Sequence, residues 1–127
     1  MTDNFHQYRP GGASDNRGTL TVSQCELTNN RTTLNLANNF GGAIYNDGTL
    51  NILDSTLSGN IAGEFFRDYG GAIFNAGTLN IMRSTLSGNS ALGGGGIFSP
   101  SWYGPVSVTL IDSTVSGNTA ESSGGGI

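Results

Sequence analysis

Apolar and polar residues alternate along this chain in very short stretches, and the stretches return in the same order. The segment "TLNI" at positions 49–52 recurs at 78–81, and "STLSGN" at 55–60 recurs at 84–89. Aligned on these segments, the apolar positions form columns. One column is Leu20, Leu50, Leu79 and Val108; the next is Val22, Ile52, Ile81 and Leu110; a third is Leu27, Leu57, Leu86 and Val115. A fourth holds Ser14, Ile44, Ile73, Ile97 and Ile127. A period of two with one apolar face is the signature of a half-buried strand. Each run lasts about three to five residues before Gly, Asn or Asp interrupts it, so the pattern predicts three short strands per repeat joined by sharp turns.

A glycine pair marks each copy, at positions 11, 41, 70, 94 and 124, with spacings of 30, 29, 24 and 30 residues. The length varies in two places only: after the repeat asparagine (31–40, 61–69, 90–93 and 119–123) and in one insertion, "SPSWYGP", at 99–105. A single coil of this kind cannot bury its apolar face alone. Stacked at a rise of ~4.8 Å, equivalent residues become ladders and backbone groups find partners above and below. The expected fold is therefore all-β, a right-handed parallel β-helix (a β-solenoid) of about four coils of 24–30 residues with three short strands each. It occupies residues 11–127, after a non-repeat N-terminal segment, residues 1–10, that serves as cap or linker. Leu50, Ile52, Leu57, Leu79, Ile81 and Leu86 are the expected inward ladders. Asn60, Asn89 and Asn118, with Asn30, close the third strand as a ladder whose amides bond from coil to coil. Cys25 shares a column with Ser55, Ser84 and Ser113 and reads as a small buried thiol.

Composition alone would have suggested disorder, because Gly, Asn, Ser and Thr supply 62 of the 127 residues. The fixed offsets of Leu, Ile and Val argue against that. With no Lys, five Arg and a net charge of -4, the chain lacks the basic patch that nucleic acids require. It contains no apolar run near 18 residues and no charged-then-apolar leader, so a membrane-spanning segment is not expected and any export signal lies outside this stretch.

The units "GGAIYN", "GGAIFN" and "GGGIFS", followed by "GTLNI" or its variant and by "STLSGN" or "STVSGN", resemble the repeats of bacterial surface β-helix proteins. These include the passenger domains of autotransporter adhesins and the chlamydial polymorphic outer-membrane proteins, which share a GGAI element. The resemblance covers nearly the whole of residues 11–127. It implies an exported protein, extracellular or at the cell surface, with a structural or adhesive role.

Candidate chemistry is sparse. Asp54, Arg83 and Asp112 share one column at the turn after the second strand and read as an exposed charge ladder rather than a catalytic site. No calcium-loop spacing occurs, and no Gly-rich run is followed by Lys-Ser or Lys-Thr. No catalytic residue, metal or cofactor is expected, and the chain does not read as an enzyme. Interaction is the more productive idea. Thr49 and Thr78, with Asn51, Asn80 and their equivalents, form outward ranks that resemble ice-binding surfaces, so a glycan- or ice-binding β-helix is the alternative reading. Phe65, Phe66, Tyr69, Trp102 and Tyr103 lie in the variable segments, where they either fold back over the coil or recognise a host or surface glycan or protein. Gly124, Gly125, Gly126 and Ile127 begin a fifth copy and form a possible assembly edge, for head-to-tail filaments or for the remainder of a longer β-helix.

Overall fold

A computed structural model describes residues 5–6, 11–33, 39–63 and 67–127. The chain is an all-β solenoid of about three turns, carried on four stacked rungs. A short strand, β1 (Phe5–His6), precedes them. Rung one holds β2 (Ser14–Asn16), β3 (Thr19–Ser23), β4 (Glu26–Thr28) and β5 (Arg31–Thr32). Rung two holds β6 (Ile44–Asn46), β7 (Thr49–Leu53), β8 (Thr56–Ser58) and β9 (Ile61–Ala62). Rung three holds β10 (Ile73–Asn75), β11 (Thr78–Met82), β12 (Thr85–Ser87) and β13 (Ser90–Gly93). Rung four holds β14 (Ile97–Phe98), β15 (Ser107–Ile111), β16 (Thr114–Ser116) and β17 (Thr119–Ser123), with a 3-10 turn at Ser101–Tyr103 between its first two strands.

Each rung thus contributes four strands, not three, and equivalent strands pair in parallel to make four sheets. The extra strand opens the segment that the sequence pattern assigns to a variable loop. Its inward position is Thr32, Ala62, Ala91 or Ala120, too small to register as an apolar column, yet Thr32 pairs with Ala62 and Ala91 with Ala120. β1 pairs in parallel with β5, so residues 5–6 of the non-repeat segment extend this fourth sheet by one strand.

The register carries the core. Leu20, Leu50, Leu79 and Val108 are successive partners, as are Val22, Ile52, Ile81 and Leu110. In rungs two and three these side chains are fully buried; in rungs one and four Leu20, Val22, Val108 and Leu110 are only partly covered, because among the described residues each has a rung on one side only. Burying one such side chain is worth roughly 1.5–3 kcal/mol, and the middle rungs collect that in full.

The corners explain the glycine pair. Its first member takes a left-handed backbone, φ between 60° and 78° at Gly11, Gly41, Gly70 and Gly94. Its second member lies against the next rung: a Cβ on Gly12, Gly42 or Gly71 would collide with the carbonyl oxygen of Gly42, Gly71 or Gly95. One position needs glycine for conformation and the next for space.

Two substitutions test this inward assignment. Ile81→Asp places a charge in the apolar stack, cancelling the ~1.5–3 kcal/mol of burial and adding an unpaired buried carboxylate, and is expected to unfold the chain. Thr78→Ser, on the outward face, is expected to change stability by no more than about 0.5 kcal/mol. Full strand content by circular dichroism in Ile81→Asp would show that the residue does not point inward.

Candidate interaction surfaces

Several polar columns of the repeat are spent between rungs. Asn30, Asn60, Asn89 and Asn118 form a ladder in which each Nδ2 donates to the next Oδ1, at 2.9, 2.9 and 2.8 Å. The same Oδ1 accepts the backbone N–H of the asparagine one rung before, at 2.9 Å each time. Nδ2 of Asn60, Asn89 and Asn118 donates further to the carbonyls of Leu27, Leu57 and Leu86. The left-handed corner falls one residue earlier, at Asn29, Gly59, Gly88 and Gly117.

A second ladder, which the sequence reading missed, joins Asn16 to Asn46 and Asn46 to Asn75, both at 2.7 Å, and ends on Ser99 at 3.1 Å. Its signal was the Asn-x-Gly spacing: Oδ1 of Asn16, Asn46 and Asn75 accepts the N–H of Gly18, Gly48 and Gly77. In the serine column, Oγ of Ser55, Ser84 and Ser113 accepts the N–H of Cys25, Ser55 and Ser84. Cys25 is exposed, not buried as its column suggested. Ser55 and Ser84 are covered by rungs on both sides, whereas Cys25 stands on rung one, and its Sγ donates to the Ser23 carbonyl. In the loop segments a buried carboxylate, Asp68, accepts the N–H and Nδ2 of Asn39 at 3.1 and 2.7 Å.

The charge column stands at left-handed corners, with φ of 48°, 47° and 48° at Asp54, Arg83 and Asp112. Arg83 grips Asp54 with both ends of its fork, Nε to Oδ1 at 2.7 Å and Nη2 to Oδ2 at 2.9 Å. That hydrogen bonding, ahead of the opposite charge, raises the Arg83 pKa and lowers that of Asp54. Asp112 adds only a weaker field at Arg83. On rung one, Arg17 pairs with Asp15 at 3.2 Å and lies 5.6 Å from the Tyr45 ring centre. Among the described residues no group of three His, Cys, Asp or Glu side chains can hold a metal ion.

Two outward features remain. The first lies on the sheet of β3, β7, β11 and β15. Thr49 and Thr78 stand in its outermost rank; inside them runs the rank Thr21, Asn51, Asn80 and Thr109, and beside that Ser23, Leu53, Met82 and Ile111. Thr21, Asn51, Asn80 and Thr109 on one side and Leu53, Met82 and Ile111 on the other line a groove of about 340 Å³. Asn80 Nδ2 donates to Asn51 Oδ1 at 2.9 Å. Ile111 is 45 % exposed. The apolar rank escaped the sequence reading because it occupies the fifth position of the strand, where the repeat is not constant.

The second feature is an aromatic spine. Tyr45, Phe74 and Phe98 stack on the outward side of β6, β10 and β14, with Tyr45 and Phe74 centred 5.4 Å apart and nearly parallel at 9°. Phe40 closes on Phe74 at 4.3 Å and Tyr69 on Phe98 at 4.3 Å. Tyr69 therefore folds back over the coil. Trp102 leans on Phe98 at 5.7 Å while remaining 68 % exposed, and Tyr103 ends the same 3-10 turn. Phe65 and Phe66 lie outside the described residues. Gly124, Gly125, Gly126 and Ile127 rest on rung four, where the N–H groups of Gly95, Gly96 and Ile97 donate to the carbonyls of Gly124, Gly125 and Gly126. Ile127 is 58 % exposed.

No family model matches the chain, and neither a curated protein nor a solved structure matches it. What is shown of the expected kinship is the β-solenoid itself.

The ladder and the charge pair make separable predictions. Asn60→Ala removes the oxygen that accepts the buried Asn30 N–H, a loss of roughly 1–3 kcal/mol, and one of the two donors to Asn89 Oδ1, and is expected to lower the midpoint of urea unfolding far more than Asn51→Ala on the outward face. Equal losses from the two would remove the ladder from its structural role. For the pair, the lowered Asp54 pKa means that its contribution is complete above the ordinary carboxylate value of about 3.9 and is lost as pH falls through the lower folded value. Arg83→Met is expected to raise the Asp54 carboxyl titration, followed by NMR, back toward the ordinary carboxylate range while leaving the melting temperature nearly unchanged.

Proposed function

We propose that this chain is a structural or adhesive β-solenoid module, extracellular or at the cell surface, that extends by adding rung to rung. The observation that supports the reading is where its buried polar side chains go: two Asn columns and one Ser column bond to their own copies one rung away. Such a chain invests in length and rigidity. On this reading Asp54, Arg83 and Asp112 are a surface brace and carry no turnover. The edge formed by Gly124, Gly125, Gly126 and Ile127 is where the next rung attaches, whether it belongs to the same polypeptide or to a neighbour. Its backbone is already in register with rung four.

Electron micrographs of the purified chain of residues 1–127 test the assembly directly. Filaments that lengthen with concentration are expected, and replacing Ile127 with Pro, or Gly126 with Lys, is expected to leave only short rods. A chain that sediments as a monomer at every concentration would refute extension by self-stacking. Hydrolysis or elimination of an acidic polysaccharide, lost when Asp54, Arg83 and Asp112 are all replaced by Ala, would overturn the non-catalytic assignment.

A further inference from the structure

The groove on the sheet of β3, β7, β11 and β15 differs from the buried ladders in one respect: its amides are not used up. In the inward ladders each internal Oδ1 accepts two N–H groups and each Nδ2 donates at least twice. Asn51 and Asn80 share a single bond, from Asn80 Nδ2 to Asn51 Oδ1. Among the described residues Asn51 Nδ2 and Asn80 Oδ1 therefore offer a donor pair and an acceptor to the groove. Facing them across it stand Leu53, Met82 and Ile111, large apolar side chains turned away from the core on successive rungs. Rung one has Ser23 at this position, so the fold itself does not demand an apolar residue here.

We propose that this groove binds a neutral linear glycan lying along the solenoid axis, across the strands. The proposal rests on the adhesive reading above and gives it a ligand class. A pyranose ring presents hydroxyl groups at its edge and C–H groups on its faces, which match an amide and threonine rank beside an aliphatic rank. Rungs repeat every ~4.8 Å, so Asn51 beside Leu53, Asn80 beside Met82 and Thr109 beside Ile111 repeat a polar and an aliphatic contact over about 10 Å, and a ring is about as wide as one step. Charge points the same way. No charged side chain lines the groove and the whole chain carries -4, so an acidic polysaccharide finds no cation and meets net repulsion. An extended peptide gains most by adding to a strand edge, and this is a sheet face. A second copy meeting the groove face to face would set concavity against concavity and leave both unfilled.

The side-chain amide resonances of Asn51 and Asn80 in the 15N-labelled chain provide the readout, titrated separately with cellohexaose, chitohexaose, laminarihexaose and hexagalacturonate. Saturable shifts with at least one neutral hexaose, and none with hexagalacturonate, are expected. Asn51→Ala combined with Asn80→Ala is expected to weaken that Kd about tenfold or more. Should that variant fold poorly, Ile111→Glu alters an exposed position and is expected to abolish binding with strand content intact. Silence from all three neutral hexaoses, equal or stronger shifts with hexagalacturonate, or shifts that follow protein concentration without sugar would each overturn the proposal. Filaments in the micrographs with no hexaose binding would remove the groove's ligand and leave the structural module standing.

Discussion

A buried primary amide takes two donors and a doubly accepting oxygen out of water, and leaving them unmet costs several kcal/mol. In this solenoid the cost is met by repetition. Asn60 is satisfied because Asn30 lies one rung below it and Asn89 one rung above, each at the same place in its own coil. The match works only at exact repeat register, since a slip of one residue would turn every amide to the other face and every leucine with it. Identity between rungs is therefore a hydrogen-bonding requirement as much as a packing one.

That constraint accounts for where the repeat is strict and where it is free. The second glycine of each pair is fixed because neighbouring backbones touch there, so any Cβ would push two rungs apart and break the ladders on every side. The segments after the asparagine vary in length although each opens with a strand of the fourth sheet, β5, β9, β13 or β17. They are not idle, however. Phe40 and Tyr69 come back as a stacked pair, form a parallel bridge, and cover Phe74 and Phe98. Asn39 and Asp68 repeat the logic of the inward ladders inside the same loops.

The register of the inward columns was legible in the sequence because it is written as equal residue types at equal offsets. What was missed failed for identifiable reasons. The fourth strand hides its inward side in Thr32, Ala62, Ala91 and Ala120, small residues, one of them polar, that do not stand out as an apolar column. The aromatic spine was overlooked because Tyr45, Phe74 and Phe98 follow an inward isoleucine and so fall on the outward phase, which alternation alone assigns to solvent; only the returning loops make that face a second core. Cys25 was placed by its column without regard to its rung: among the described residues Ser55 and Ser84 have a rung on each side, and Cys25 has one on a single side. The groove could not be read at all from the repeat, since Leu53, Met82 and Ile111 share a size class and not an identity.

A consequence follows for how such a molecule acquires binding specificity. Inward positions are coupled vertically, so a change in one rung is penalised by both neighbours, and the ladders resist any function other than cohesion. The outward ranks on the sheet of β3, β7, β11 and β15 are less constrained. The rank that begins as Thr21 becomes Asn51 and Asn80 and returns to Thr109, and its neighbour passes from Ser23 to Leu53, Met82 and Ile111, with the backbone register unbroken throughout. Each rung thus offers a few side chains whose identity the fold does not dictate, on a lattice whose spacing it dictates completely. A ligand that repeats along its own length is the kind of partner such a surface favours, because one modest contact is multiplied by the number of rungs without a new site being built.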